Sequence, residues 1–416
     1  MAEGNSAADD NVEHKEQKPN QQRKKLLEGL SLSSNKPLGK RSRRSVLRYM
    51  GAGSTVTLSI PFIGAANQDL KKRVDILEII YSDLSKRYVN VPESWFAHVR
   101  NARNTVKYVK DEFGGEDWYG SVGQQASDNI MFELNPDDDL QSRGIEDLKK
   151  HQICVGSHDI NSAKDALPDQ INNIDIVIDE FKEIVDGSHG SGCDCNTTPY
   201  QCLEGGTKTS VQNTNKCVSH STHAQYDSSY YMITTAHQFN DYCSGDITGE
   251  TATNGSDIIG DVDEYNYDYD YALIDDSDRE INGIDNTVYD DSRILSGHLS
   301  ENAVDLHISS NMDTHHYGPA TCYTSDEIQI KEHRDNSSCP GNDVWWIRTE
   351  TEAQGGDSGA PHYWIDDEEN ELSLYGIHKG HITHSEYNYF QYSIMPAAFD
   401  IHNNDGVVFG STVLSC

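Results

Sequence analysis

The sequence predicts a mainly β protein whose strands are preceded by a small helical region. Three observations point there. From about residue 160 the texture changes to short, partly alternating strand-like runs. Before that point apolar residues recur at helical spacing. The 416 residues also carry 22 Tyr, 5 Trp and 9 Cys, enough to build cores and to exclude a disordered acidic chain. That length exceeds one average domain.

In chain order, the first feature is Ser42-Arg43-Arg44-Ser45-Val46-Leu47-Arg48, followed by a weakly apolar stretch from Tyr49 to Ala66. Paired Arg, one free position and then apolar residues resemble the twin-arginine export signal, and Gly64-Ala65-Ala66 offers small residues for cleavage. Pro61 and several Ser and Thr make the stretch a poor transmembrane helix. Residues 1–66 are therefore expected to be a signal region and the protein to be secreted. The alternative is a membrane anchor left by an uncleaved signal.

Residues 67–160 are expected to be helical. Leu70, Val74, Leu77, Ile80 or Tyr81, Leu84 and Tyr88 recur at three- and four-residue steps. A second amphipathic helix starts with Pro92 in its first turn and carries Trp95, Phe96, Val99, Ala102, Val106, Val109 and Phe113 on one side. Gly114-Gly115 ends it. Nothing here points to chemistry, so a helical domain with its own core is expected. The alternative is a pro-region that acts on the C-terminal half of the chain and is later removed. Residues 161–198 read as a short β lead-in, with Ile174-Asp175-Ile176-Val177-Ile178 as a half-buried strand.

The formal charge of −35 is spread along the chain, with clusters at Asp137 to Asp139, Asp275 to Asp278 and Asp366 to Glu369. Eleven of the 33 basic residues precede residue 49. So large a charge destabilises a compact state by self-repulsion unless salt screens it, and at 1 M salt the Debye length is about 3 Å. The composition resembles that of halophilic archaeal proteins. A surface of this sign repels nucleic acid and anionic lipid, so neither is an expected partner.

Three segments carry chemistry. Tyr230-Tyr231-Met232-Ile233-Thr234-Thr235-Ala236-His237 is an apolar β-like run ending on an imidazole. Asp270-Tyr271-Ala272-Leu273-Ile274 opens a second apolar run with a carboxylate. Gly355-Gly356-Asp357-Ser358-Gly359-Ala360-Pro361 is a glycine-rich turn around a hydroxyl. A serine hydroxyl is a weak nucleophile, and it needs a base to take its proton and a third group to orient that base. Asp268 rivals Asp270, because Asp268-Tyr269-Asp270-Tyr271 repeats itself; only Asp270 has the Ala-Leu-Ile continuation.

These segments resemble the histidine, aspartate and nucleophile motifs of the chymotrypsin superfamily, in its streptogrisin-like or glutamyl-endopeptidase-like branch. The order His, Asp, Ser is that superfamily's order. Ala360 stands where its nucleophile loop more often has a second Gly. The resemblance covers residues 199–416 and implies a double six-stranded antiparallel β-barrel with His237, Asp270 and Ser358 as the triad of a serine endopeptidase; the alternative is a catalytically silent protein of the same fold that serves in binding or at a surface. It implies an oxyanion hole made by the backbone N–H groups of Gly356 and Ser358, protein or peptide substrates, and no cofactor or metal.

For the substrate pocket the residues conflict. Glu352, six residues before Ser358, stands where trypsin-like relatives bind Arg or Lys. The strand Leu374 to His381 resembles the pocket wall, and its His378 and Lys379 suggest an acidic side chain instead, which is slightly favoured. Of the nine Cys, the resemblance pairs Cys217 with Cys243 around His237, and Cys322 pairs with Cys339. Cys154, Cys193, Cys195, Cys202 and Cys416 leave an odd count, and disulfides are expected ahead of a zinc site at Cys193-x-Cys195 with Cys202.

Overall fold

Where the spacing predicts a first helix, the chain forms a hairpin. β1 (Arg73–Tyr81) and β2 (Lys86–Pro92) pair antiparallel, with Asp75 opposite Asn90 and Ile80 opposite Lys86. The turn between them holds Leu84 at φ +64°. The correction has a physical reason: Val74, Ile76, Ile79, Ile80, Val89 and Val91 are β-branched and suit a pleated surface better than a helix. Over so short an apolar run, steps of three and four do not separate the two periods. The computed structural model describes residues 72–186, 202–212, 218–240, 243–275, 277, 283–334, 343–383 and 390–410. The export motif and Leu70 lie outside them.

The second helix forms as the spacing predicts. α1 (Glu93–Phe113) buries Trp95, Val99, Ala102, Val106, Val109 and Phe113, follows Pro92 directly and ends at Gly114. It packs over β3 (Tyr119–Glu133) and β4 (Asp147–Ser157), an antiparallel pair, with β5 (Ile174–Glu180) parallel to β4 and β6 (Ile184–Asp186) after it. Residues 72–186 are thus mixed strand and helix.

The first β unit contains β7 (Lys208–Val211), β8 (Thr222–Tyr226), β9 (Ser229–Thr234), β10 (Thr251–Asn254), β11 (Asp257–Asn266) and β12 (Tyr271–Asp275). They lie in the order β7-β10-β11-β12-β9-β8. Two-residue strands extend the ends, Val218–Ser219 beside β7 and Val408–Phe409 beside β8.

The second unit follows with β13 (Asp291–Leu299), α2 (Glu301–Ser309), β14 (Asp313–Gly318), β15 (Cys322–Arg334), β16 (Trp345–Thr349), β17 (Pro361–Asp366), β18 (Glu371–Ile377), β19 (Gly380–Thr383) and β20 (Phe390–Pro396). Here β14 pairs with β15 and β17, β17 with β18, β15 with β16, and β20 joins β16 to β19. The chain is mainly β, as the sequence predicts. One buried cluster spans both units, with Ile233 and Leu273 from the first and Trp346, Tyr363, Leu374 and Ile394 from the second.

Residues before 199 are joined to this frame by sheet and by buried charge. β3 pairs with β15 from Ile330 to Arg334, and β6 pairs with β19. Arg103 of α1 pairs with the buried Asp305 of α2, which also binds Lys331 Nζ at 2.8 Å. The core of Ile76, Val91, Trp95, Val99 and Leu148 is shared with Leu306 of α2. A helical domain standing apart on its own core is therefore not what forms.

Candidate active site

His237 sits on a single 3₁₀ turn, Ala236–Gln238, directly after β9. β9 is held on both edges: Ile233 lies opposite Thr222 of β8 and Leu273 of β12. Asp270 is the residue before β12, at φ +49°, and its carbonyl accepts from Ala236 N at 3.2 Å. The paired strands β9 and β12 thus deliver the imidazole and the carboxylate side by side. His237 Nδ1 is 2.7 Å from Asp270 Oδ2, and His237 N donates to Asp270 Oδ1 at 2.8 Å. Asp268 is exposed, so the neighbouring carboxylate takes no part.

Ser358 comes from the turn between β16 and β17. Its Oγ lies 3.1 Å from His237 Nε2. The turn is fastened from several sides, with Ser219 N donating to Ser358 O at 2.8 Å and Gly359 N donating to His378 O at 2.9 Å. Two glycines are required here. Gly356 has φ +114°, a conformation other residues rarely adopt. Gly359 has φ +94°, and a Cβ there would lie 2.0 Å from Ser219 O.

Asp357, between them, is fully buried. It accepts from Ala320 N at 2.8 Å, Thr321 N at 3.2 Å, Gln354 N at 2.9 Å and the Thr321 hydroxyl. Burial opposes its ionisation, but His316 and Thr321 hold its carboxyl well below the usual range. It anchors the turn that carries Ser358 to the β14–β15 connection.

The three residues assigned to the substrate pocket have different fates. Glu352 is exposed, and only its carbonyl is engaged, accepting from Thr324 Oγ1 at 2.9 Å. Lys379 is fully buried with its Nζ 3.0 Å from Asp270 Oδ2. Its charge is therefore spent on Asp270. His378 is also fully buried, its Nδ1 3.1 Å from His362 Nε2. Burial first, and then neighbouring imidazoles, push His362 and His378 well below the ordinary histidine range. Asp270 behaves oppositely: burial works against its charge, yet His237 and Lys379 hold its carboxyl at about 2.

Sequence reasoning missed His316 and His362 altogether. They face each other across β14 and β17, and with His378 they place three ring donor atoms within 4.8 Å of one another. The rings of His316 and His362 stack at 4.3 Å and 24°. Nearly parallel rings do not aim their lone pairs at one point, so an ion there would require them to turn. Among the cysteines, Cys243 and Cys322 are disulfide-bonded and Cys154 is free and buried. Cys217, Cys339, Cys193, Cys195 and Cys416 lie outside the described residues.

No family model matches this chain, and no curated protein matches it. Among solved structures it is similar to Protease A of Thermobifida fusca, over 50 % of this chain and 100 % of that one, at 17 % identity and a TM-score of 0.36. It is also similar to the inactive form of the Rv3671c protease, over 47 % of this chain and 84 % of that one, at 13 % identity and a TM-score of 0.28. A serine-to-alanine mutant of Rv3671c from M. tuberculosis overlaps 44 % of this chain and 82 % of its own, at 12 % identity and a TM-score of 0.26.

Proposed function

We propose that the protein is an exported serine endopeptidase that works in concentrated salt and cleaves through an acyl-enzyme. One observation carries the reading: Ser358, His237 and Asp270 form an unbroken chain of contacts at 3.1 and 2.7 Å. In this reading Ser358 Oγ attacks the scissile carbonyl carbon while His237 Nε2 takes its proton. The oxyanion that forms faces the N–H groups of Gly356 and Ser358, each worth about 3 kcal/mol. The C–N bond then breaks and His237 returns the proton to the leaving amine. Water repeats the sequence on the acyl-enzyme, releasing the acid and restoring the hydroxyl. Asp270 keeps its charge throughout, holding the Nδ1–H tautomer and stabilising the imidazolium.

An acidic residue at the cleaved bond is the preferred substrate in this reading. The exposure of Glu352 removes the support for a basic one; His378, just after β18, is buried against His362, so the acidic preference rests on the sequence resemblance. Residues 73–186 stay attached to the catalytic half, a reading supported by the pairing of β6 with β19, immediately after Lys379. Export rests on the Arg43-Arg44 segment and salt dependence on the charge of −35.

Digestion of casein in molar salt, with fragments read by mass spectrometry, tests the proposal. The expected result is cleavage after Glu and Asp that is absent with Ser358→Ala and fades on dialysis into dilute buffer. Identical fragments from both proteins would overturn the assignment of Ser358, and full activity in dilute buffer would overturn the salt dependence.

A further inference from the structure

Lys379 touches both ends of the proposed triad. Its Nζ lies 3.0 Å from Asp270 Oδ2, the same oxygen that meets His237 Nδ1 at 2.7 Å. Its own carbonyl accepts from Ser358 Oγ at 3.4 Å, and its N–H donates to Ile394 O at 3.0 Å. Lys379 and Asp270 are both fully buried, so bulk salt screens this pair far less than an exposed one. We propose that Lys379 is a positioning residue that sets the pH range in which His237 serves as a base. The inference rests on the peptidase reading for its purpose, but on the geometry alone for its effect on the ring.

The physical argument concerns one shared oxygen. A lone carboxylate stabilises the imidazolium beside it and so favours protonation of the ring. An ammonium on the same oxygen cancels part of that field and repels a second cation across it. The cost falls on the transition state, where the imidazolium is less stabilised. The carbonyl of Lys379, at 3.4 Å, competes with His237 Nε2, at 3.1 Å, for the single proton of the Ser358 hydroxyl.

The remaining groups around this centre do not supply the same charge. His237 is approached by His378, which burial keeps neutral, and by Asp270, Ser358 and Lys379. Asp270 is approached by His237, Lys379 and the phenol of Tyr267, whose ionisation burial and nearby acids oppose. Among these described neighbours Lys379 is the cation that faces the Asp270 carboxylate from the second unit.

The test uses the full chain in molar salt and follows the His237 ring by nuclear magnetic resonance, including the downfield Nδ1 proton, in wild type, K379M, K379Q and K379R. The expected result is that K379M titrates about one pH unit higher than wild type, while K379R stays with wild type. K379Q keeps a donor for Asp270 without the charge and takes the place of K379M if that variant does not fold. Wild-type titration in K379M or K379Q, or an equal shift in K379R, would overturn the proposal. The pH dependence of fluorophosphonate reaction at Ser358 separates the two readings. A ring shift without any reaction at Ser358 leaves the role of Lys379 standing and removes the peptidase; reaction with no shift in its acidic limb does the reverse.

Discussion

Two buried carboxylates lie near Ser358, and they are kept ionised in different ways. Asp270, from the first β unit, has Lys379 Nζ and the His237 ring on one oxygen and the His237 backbone N–H on the other. Asp357, from the second, accepts from four neutral donors, the N–H groups of Ala320, Thr321 and Gln354 and the hydroxyl of Thr321, with the His316 imidazole 3.6 Å away. Fixed dipoles hold a group in place whatever the surrounding charges do. Ion pairs make a group's energetics depend on its partners. Asp357 therefore holds the turn, while Asp270 responds as the imidazole gains and loses a proton.

The sharpest way to break this comparison is to remove charge at Asp270. Asp270→Asn is expected to lower kcat/KM by about 10⁴-fold, since the wrong tautomer of His237 is then favoured. It also strands the buried Lys379, so stability falls with activity. Removing both charges in D270N/K379M should recover about 3 kcal/mol of stability, measured by urea unfolding, without recovering activity. Recovery of both together would mean that the carboxylate has no catalytic role.

At Asp357 the expected loss is smaller and of another kind. Thr321→Val removes one hydrogen bond to a charged group, costing about 1.5–3 kcal/mol of stability. The turn keeps its backbone donors, so kcat/KM should fall by less than about tenfold. A collapse of activity with stability intact would assign Thr321 or Asp357 to the chemistry itself.

Acid unfolding, followed by tryptophan fluorescence, gives the mildest test. Burial holds His151, His220, His307 and His333 at about 3, against 6.5 when exposed. Unfolding lets them take up protons, so stability is whole above 6.5 and declines as pH falls below it. Asp270, held at about 2 against 3.8, adds stability above 3.8 that is lost as pH falls towards 2. D270N/K379M should lack that last part, about 2 kcal/mol, while keeping the decline that begins below 6.5. An unchanged profile between pH 4 and 2 would remove Asp270 from the account of acid stability.

How much of the fold and site was legible in the sequence depends on how local each signal was. The segments of His237, Asp270 and Ser358 could be read because each is a turn directly beside a strand, complete within about eight residues. α1 could be read because its apolar stripe runs for six turns. The hairpin β1–β2 could not, because a short run rich in Ile and Val fits both periods. His316 and His362 meet through a cross-strand register that no spacing reveals, although two adjacent His in Asp313-Thr314-His315-His316 were a signal worth following. Lys379 reaches Asp270 from 109 residues away, so its residue type suggested a substrate contact and its packing gave a different one. Glu352 held the expected sequence position but lies on the surface.

The central claim is that Ser358 is an activated nucleophile. Fluorophosphonate labelling of the full chain in molar salt, with the modified residue located by mass spectrometry, tests it most directly. The account predicts stoichiometric labelling at Ser358, absent in Ser358→Ala and strongly slowed in His237→Ala. No labelling of a folded wild-type protein, or labelling that persists in Ser358→Ala, would contradict it.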